Sequence, residues 1–196
     1  MMNGVRRQSP VFQSPVFLAC VALIVAAQAV LWWRAFRWYP EIPQRFPTHF
    51  GADGKPNGWM DKSFFTWFML PLLSLVMLAF FGGISAWLGW LVRKSPQIVN
   101  VPRKDLFLKM SVEGRMTIVR PTREFLAWVM ALMMWLFAYI LEGSARVAVH
   151  IDDTLVAWPL FIFMGGVLGV LPFYMIRTGR MLDDVARAEG IIPAKK

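Results

Sequence analysis

Four apolar stretches organise the chain: residues 15–33, 64–92, 125–141 and 155–176, none with an Asp, Glu, Lys, Arg or His in its interior. Each approaches or exceeds the roughly 20 residues that a helix needs to cross a bilayer core of about 30 Å. The second is long enough to tilt or protrude. The third is fenced by Glu124 and Glu142, and the fourth carries Pro159 and Pro172 near its ends. The pattern predicts an all-α integral membrane protein, one membrane domain over residues 1–196 with four transmembrane helices. A 34–63 loop, a 93–124 loop and a short polar turn connect them. The start imitates a cleavable leader, with Arg6-Arg7, an apolar run and Ala27-Gln28-Ala29. The run continues through Trp33, however, so a retained first helix is expected.

Composition supports this picture. Apolar residues make up 57% of the 196 residues and charged residues 17%, against about 45–50% and about 25% in soluble proteins. The one cysteine, Cys20, permits no internal disulfide and no cysteine-built zinc site. The net charge of +9 is distributed unevenly. The N-terminal tail, the 93–124 loop and the C-terminal tail hold 15 of the 21 basic residues, and the two other loops hold six. By the rule that basic loops stay in the cytoplasm, both termini are expected inside a cell (inner or plasma) membrane crossed four times. Topology accounts for the charge, and no aromatic–basic platform points to nucleic acid.

The spans carry little chemistry. Transporters place ionisable groups within their helices, and here Gln28, Ser74, Ser85 and Tyr139 are the main polar side chains at depth. Ion transport is disfavoured, though an oligomeric pore stays open. Ala79, Gly83, Ser85, Ala86 and Gly89, and Gly165-x-x-x-Gly169, have the spacing of small residues that let helices pack closely.

The 34–63 loop is the most informative segment. Pro40, Pro43, Pro47 and Pro56 forbid a regular helix. Asp53-Gly54 and Asn57-Gly58 are turn signals, so the loop reads as rigid and multiply turned. Trp38, Tyr39, Phe46, Phe50 and Trp59 suit the membrane interface. The run Tyr39-Pro40-x-x-Pro43-x-x-x-Pro47-Thr48-His49-Phe50, followed by Gly54-x-Pro56-x-x-Trp59-x-x-Lys62, resembles the signature of the membrane family called domain of unknown function 1648. Asn100-x-Pro102-x-Lys104 also looks like a family feature, and the resemblance covers roughly residues 15–125. SdpI-type immunity and signalling proteins carry such a domain at their N-terminus. The resemblance implies a non-enzymatic membrane protein that senses, or confers immunity to, an extracytoplasmic toxic peptide. One departure stands out: Asn57 occupies a position where many relatives have Asp.

Pro47, His49, Phe50, Gly54, Pro56, Trp59 and Lys62 are thus the candidate ligand-binding or loop-scaffold residues. His49, Asp53 and His150 are the candidate metal ligands, because imidazole and carboxylate bind zinc-like ions when three or four converge. The competing role for His49 is to tie down the loop through its ring nitrogens. A metal at the loop would suit the alternative function, a small metal-dependent membrane enzyme or an accessory subunit of a membrane complex. No nucleophile, nucleotide or cofactor motif is present, so no cofactor is expected. The bilayer is the expected partner, with a peptide ligand, a membrane-protein partner or a second copy left open. In the 93–124 loop, alternation around Glu113-Gly114 suits a hairpin, and Leu108, Val112, Met116 and Val119 suit one helical face. The resemblance favours an amphipathic helix on the membrane surface, where basic residues bind anionic lipid or a partner. A plain linker is the simpler reading.

Overall fold

The computed structural model describes residues 14–193; Arg6, Arg7, Lys195 and Lys196, counted above for orientation, lie outside them. Among the described residues, which are mostly helical, four helices are long and apolar enough to cross a membrane. The first, α1 (Pro15–Trp38), opens on Ser14, whose carbonyl accepts the Leu18 amide, with proline at the first helical position. It outlasts the apolar run by five residues and stops at Tyr39, whose following proline disfavours helical backbone.

The 34–63 segment contains a β-hairpin, where irregular turns are expected from the sequence: β1 (Arg45–Phe50) pairs antiparallel with β2 (Pro56–Asp61). A two-stranded ribbon tolerates Pro47 and Pro56 because neither strand is paired on both edges. The turn forms at residues 51–54, where the Gly54 amide donates to the Gly51 carbonyl at 2.9 Å. Asn57-Gly58, expected as a second turn, lies inside β2.

The second span is broken near its start into α2 (Phe64–Trp67) and α3 (Met69–Lys94). Pro71 explains the break, since it has no amide to give the Trp67 carbonyl one turn back. Ser63 caps α2 through its side chain and the Thr66 amide. The 93–124 segment is helical as the resemblance implies, with no hairpin. A short 3-10 turn (Pro96–Ile98) leads to α4 (Lys104–Lys109) and α5 (Val112–Ile118), and α6 (Arg120–Ala148) follows almost without interruption. Gly114 lies within α5, where a side chain would collide with Glu189 and Val185. The fourth span, α7 (Trp158–Ala188), begins three residues later than the apolar run, with Pro159 in its first turn, and contains Pro172. Neighbouring helices and side chains make such a proline tolerable within a membrane helix.

The residues group into two compact units. In the unit of residues 21–79 and 129–167, Leu31 and Ala35 of α1, Phe46 of the hairpin, Trp67 and Phe68, and Ala138, Leu141 and Ala145 of α6 form the core. In the other unit, Leu91 and Val92 of α3, Phe107, Met110 and Ile118 of the short helices, and Leu182 and Ala186 of α7 form the core. The long helices otherwise expose large apolar side chains, such as Val25, Phe80, Phe161 and Met175. Sustained exposure of this kind is at home only in hydrocarbon, so the chain is a multi-pass membrane protein in contact with lipid. The small-residue positions divide in their surroundings. A Cβ added at Gly82, Gly83, Gly165 or Gly169 would meet nothing within 4 Å, whereas one at Gly89 would lie 3.8 Å from Arg123, and Ser85 accepts from Arg123 at 3.0 Å.

Candidate functional site at the hairpin end

The hairpin is fastened at two backbone points within its own unit. The Leu155 amide donates to the Gly54 carbonyl at 2.8 Å, and the Ser144 hydroxyl donates to the Pro47 carbonyl. Leu155 is the residue expected to open the fourth span; instead it is buried beside Gly143 of α6, whose missing side chain makes the space. Gly54 has φ +77, a left-handed conformation that glycine adopts at little cost.

Lys62 secures the other end. Its Nζ donates to the Ile42 carbonyl at 2.9 Å and lies 5.1 Å from the centre of the Tyr39 ring, a cation–π arrangement. Behind it Phe64 stacks on Phe68, Tyr39 meets Phe64 edge to face and Phe68 at a tilt, and Phe46 meets Trp67 edge to face. The Trp67 indole donates to the Ala35 carbonyl at 2.8 Å, tying α2 to α1. At the same end, Glu142 of α6 accepts from the Trp38 indole at 2.7 Å and pairs with Arg34 at 3.4 Å.

Against this fixed base, β2 exposes alternate residues: Asn57, Trp59 and Asp61 face solvent while Pro56, Gly58 and Met60 are half-buried. His49 is exposed on β1 opposite Gly58, where a Cβ would come within 2.7 Å of its own Cβ. Its Nδ1–H donates to the Asn57 side-chain carbonyl. In the neutral ring this leaves Nε2 as the acceptor, with no partner for it among the described residues. Phe50 is half-buried at the end of β1, paired with Pro56. Asn57 is therefore the residue that orients the imidazole.

The candidate metal ligands are not brought together. Among the described residues no three His, Cys, Asp or Glu side chains are placed to hold an ion. Asp53 accepts the Lys55 amide at 3.1 Å within the hairpin turn. His150 has a backbone role, with φ +59 just past the end of α6. Its amide donates to Val147 and that of Ile151 to Arg146, the paired bonds of a Schellman helix end. Glycine is the usual residue there, so His150→Gly is expected to raise stability by about 1 kcal/mol, read as an upward shift in the thermal unfolding midpoint. Arg146 also holds Asp152 at 2.6 Å, which lowers the Asp152 pKa below its ordinary value. That pairing supports the folded state at neutral pH and is lost as pH falls through the depressed value.

One cluster escaped the sequence reading. In the other unit Glu124 is fully buried and accepts from the Ser14 hydroxyl at 2.6 Å, Arg120 at 2.9 Å and Arg177. The Arg120–Glu124 spacing of four residues was a visible signal. The contribution of Arg177, 53 residues away, was not.

Comparisons with known proteins reach part of the chain. An uncharacterized protein of Archaeoglobus fulgidus is 30% identical over 84 residues, covering 43% of this chain and 45% of that protein. No solved structure matches. Residues 17–75 match the family described as Domain of unknown function (DUF1648). That match spans most of α1, the whole hairpin and the start of α3.

Proposed function

We propose that the chain is a single membrane domain whose hairpin faces the extracytoplasmic side and recognises a toxic peptide there, conferring immunity to it or reporting its presence. The reading rests chiefly on one observation: a hairpin fastened at Gly54 and Pro47 keeps His49, Asn57 and Trp59 exposed on a rigid base. Preorganised recognition elements of this kind bind with a smaller loss of conformational entropy. Trp59 supplies apolar contact area, and Nε2 of His49 accepts a hydrogen bond from a peptide amide or ammonium group. The 15-to-6 division of basic residues supports this orientation, with both termini in the cytoplasm. Among the described residues no grouping of three His, Cys, Asp or Glu side chains supports the metal-dependent enzyme.

A panel of membrane-active antimicrobial peptides tests the reading in a sensitive host expressing the chain. Expression is expected to raise the inhibitory concentration of at least one peptide. The His49→Ala/Trp59→Ala variant, at equal abundance in the membrane, is expected to lose that protection. Protection that survives the double substitution removes the hairpin from recognition, and a panel with no response removes the immunity role.

A further inference from the structure

The short helices after α3 carry a surface that the DUF1648 match does not reach. Their inner side is committed: Phe107, Met110 and Ile118 pack with Leu91 and Val92 of α3 and Leu182 and Ala186 of α7. Arg103 is committed as well, paired with Asp183 at 2.6 Å. Glu189 accepts from both the amide and the hydroxyl of Ser111, fixing the head of α5 to the end of α7. Leu182 lies six residues beyond Ile176, the end of the apolar run, or about 9 Å along a helix. That distance places α4 and α5 in the headgroup layer, which adds several ångströms on each side of the hydrocarbon.

Their other side is exposed and amphipathic. Ile98, Leu108 and Val112 are exposed apolar side chains. Lys94, Lys104 and Lys109 are exposed on the same stretch and form no ion pair among the described residues; Asp105 and Glu113 are exposed there too, so basic side chains outnumber acidic ones. Lys104 and Leu108 stand one turn apart on the same face of α4. The surface continues from the end of α3, where Trp87 and Trp90 are exposed as an interfacial aromatic belt would be.

We propose that this surface docks on anionic phospholipid headgroups of the surrounding bilayer. Lys94, Lys104 and Lys109 meet the phosphates, and Leu108, Val112 and Ile98 enter the acyl boundary. Charge complementarity and continuity with the lipid-facing helices select lipid over a soluble protein as the occupant.

Spin labels at Leu108→Cys or Val112→Cys, in full-length Cys20→Ala protein, test the proposal. The protein is placed in nanodiscs of phosphatidylcholine alone or mixed with phosphatidylglycerol. Accessibility to oxygen is compared with accessibility to a water-soluble nickel chelate. At both sites, rising phosphatidylglycerol is expected to favour oxygen and exclude nickel, while a label at Ala52 in the hairpin turn does not respond. Each lysine changed to glutamine is expected to shift the midpoint of that titration about fivefold, from about 1 kcal/mol per basic group. Labels equally open to nickel in both discs, or a response that survives Lys94→Gln/Lys104→Gln/Lys109→Gln, overturn the proposal. Nickel exclusion that requires a soluble cell extract also overturns it and assigns the surface to a protein partner.

Discussion

Gly54→Ala is expected to destabilise the protein by about 2–5 kcal/mol. The left-handed backbone costs a non-glycine residue about 1–2 kcal/mol, and forcing a side chain into filled space adds about 1–3 kcal/mol. Here the space is filled by backbone: the new Cβ would collide with the Leu155 carbonyl, which no rotamer change relieves. The turn would have to leave Leu155, breaking the 2.8 Å bond between them. Thermal unfolding in detergent measures the loss, with Gly82→Ala and Gly83→Ala as controls. Open space surrounds those two positions, and alanine in place of helical glycine is neutral or favourable by up to about 1 kcal/mol. A Gly54→Ala protein as stable as the wild type would show that the Leu155 contact does not hold the turn.

Removal of the Glu124 carboxylate should have an effect of similar size. Glu124→Ala leaves Arg120 and Arg177 facing each other across a buried space, and unpairing a buried charge costs about 3–5 kcal/mol. The side chains of Arg120 and Arg177 are only 16% and 30% exposed, so water cannot fully replace the lost partner. In the double variant Glu124→Ala/Arg177→Ala one stranded charge is gone. It is expected to be more stable than the sum of the two single changes predicts. Strict additivity in that cycle would mean that Arg177 and Glu124 do not interact.

The four spans were legible because hydrocarbon demands long apolar runs and permits few exceptions. Their ends were not. A helix continues as long as its backbone bonds are made, so α1 runs past Arg34 and Arg37, and α7 runs past Arg177 and Arg180. Leu155 was assigned to the fourth span on hydropathy, yet its side chain is buried against Gly143. The hairpin was hidden by its own prolines and glycines, which read as turns. Only the pairing of β1 with β2 shows that Gly58 makes room for His49 rather than reversing the chain. In the hairpin site, the type of residue was visible, but not the partner: nothing in local spacing links Pro47 to Ser144, 97 positions later. Glu124 looked like a fence post at the membrane edge because its second arginine arrives from a distant helix.

One polar contact in the apolar interior has a consequence for how the helices are registered. Gln28 of α1 donates to the Ser74 hydroxyl of α3 and to the Met134 sulfur of α6, both at 2.9 Å, and its carbonyl accepts from the Trp32 indole at 3.1 Å. Such bonds between membrane helices contribute only about 0.6 kcal/mol on average, so this amide adds little to the total stability. Its effect is selective. Turning α1 by one residue rotates its faces by about 100° and swings the amide away from both partners, leaving polar atoms against hydrocarbon. Apolar side chains alone would tolerate many such rotations. The single amide penalises all but one, much as a lone buried asparagine sets the alignment of a coiled coil.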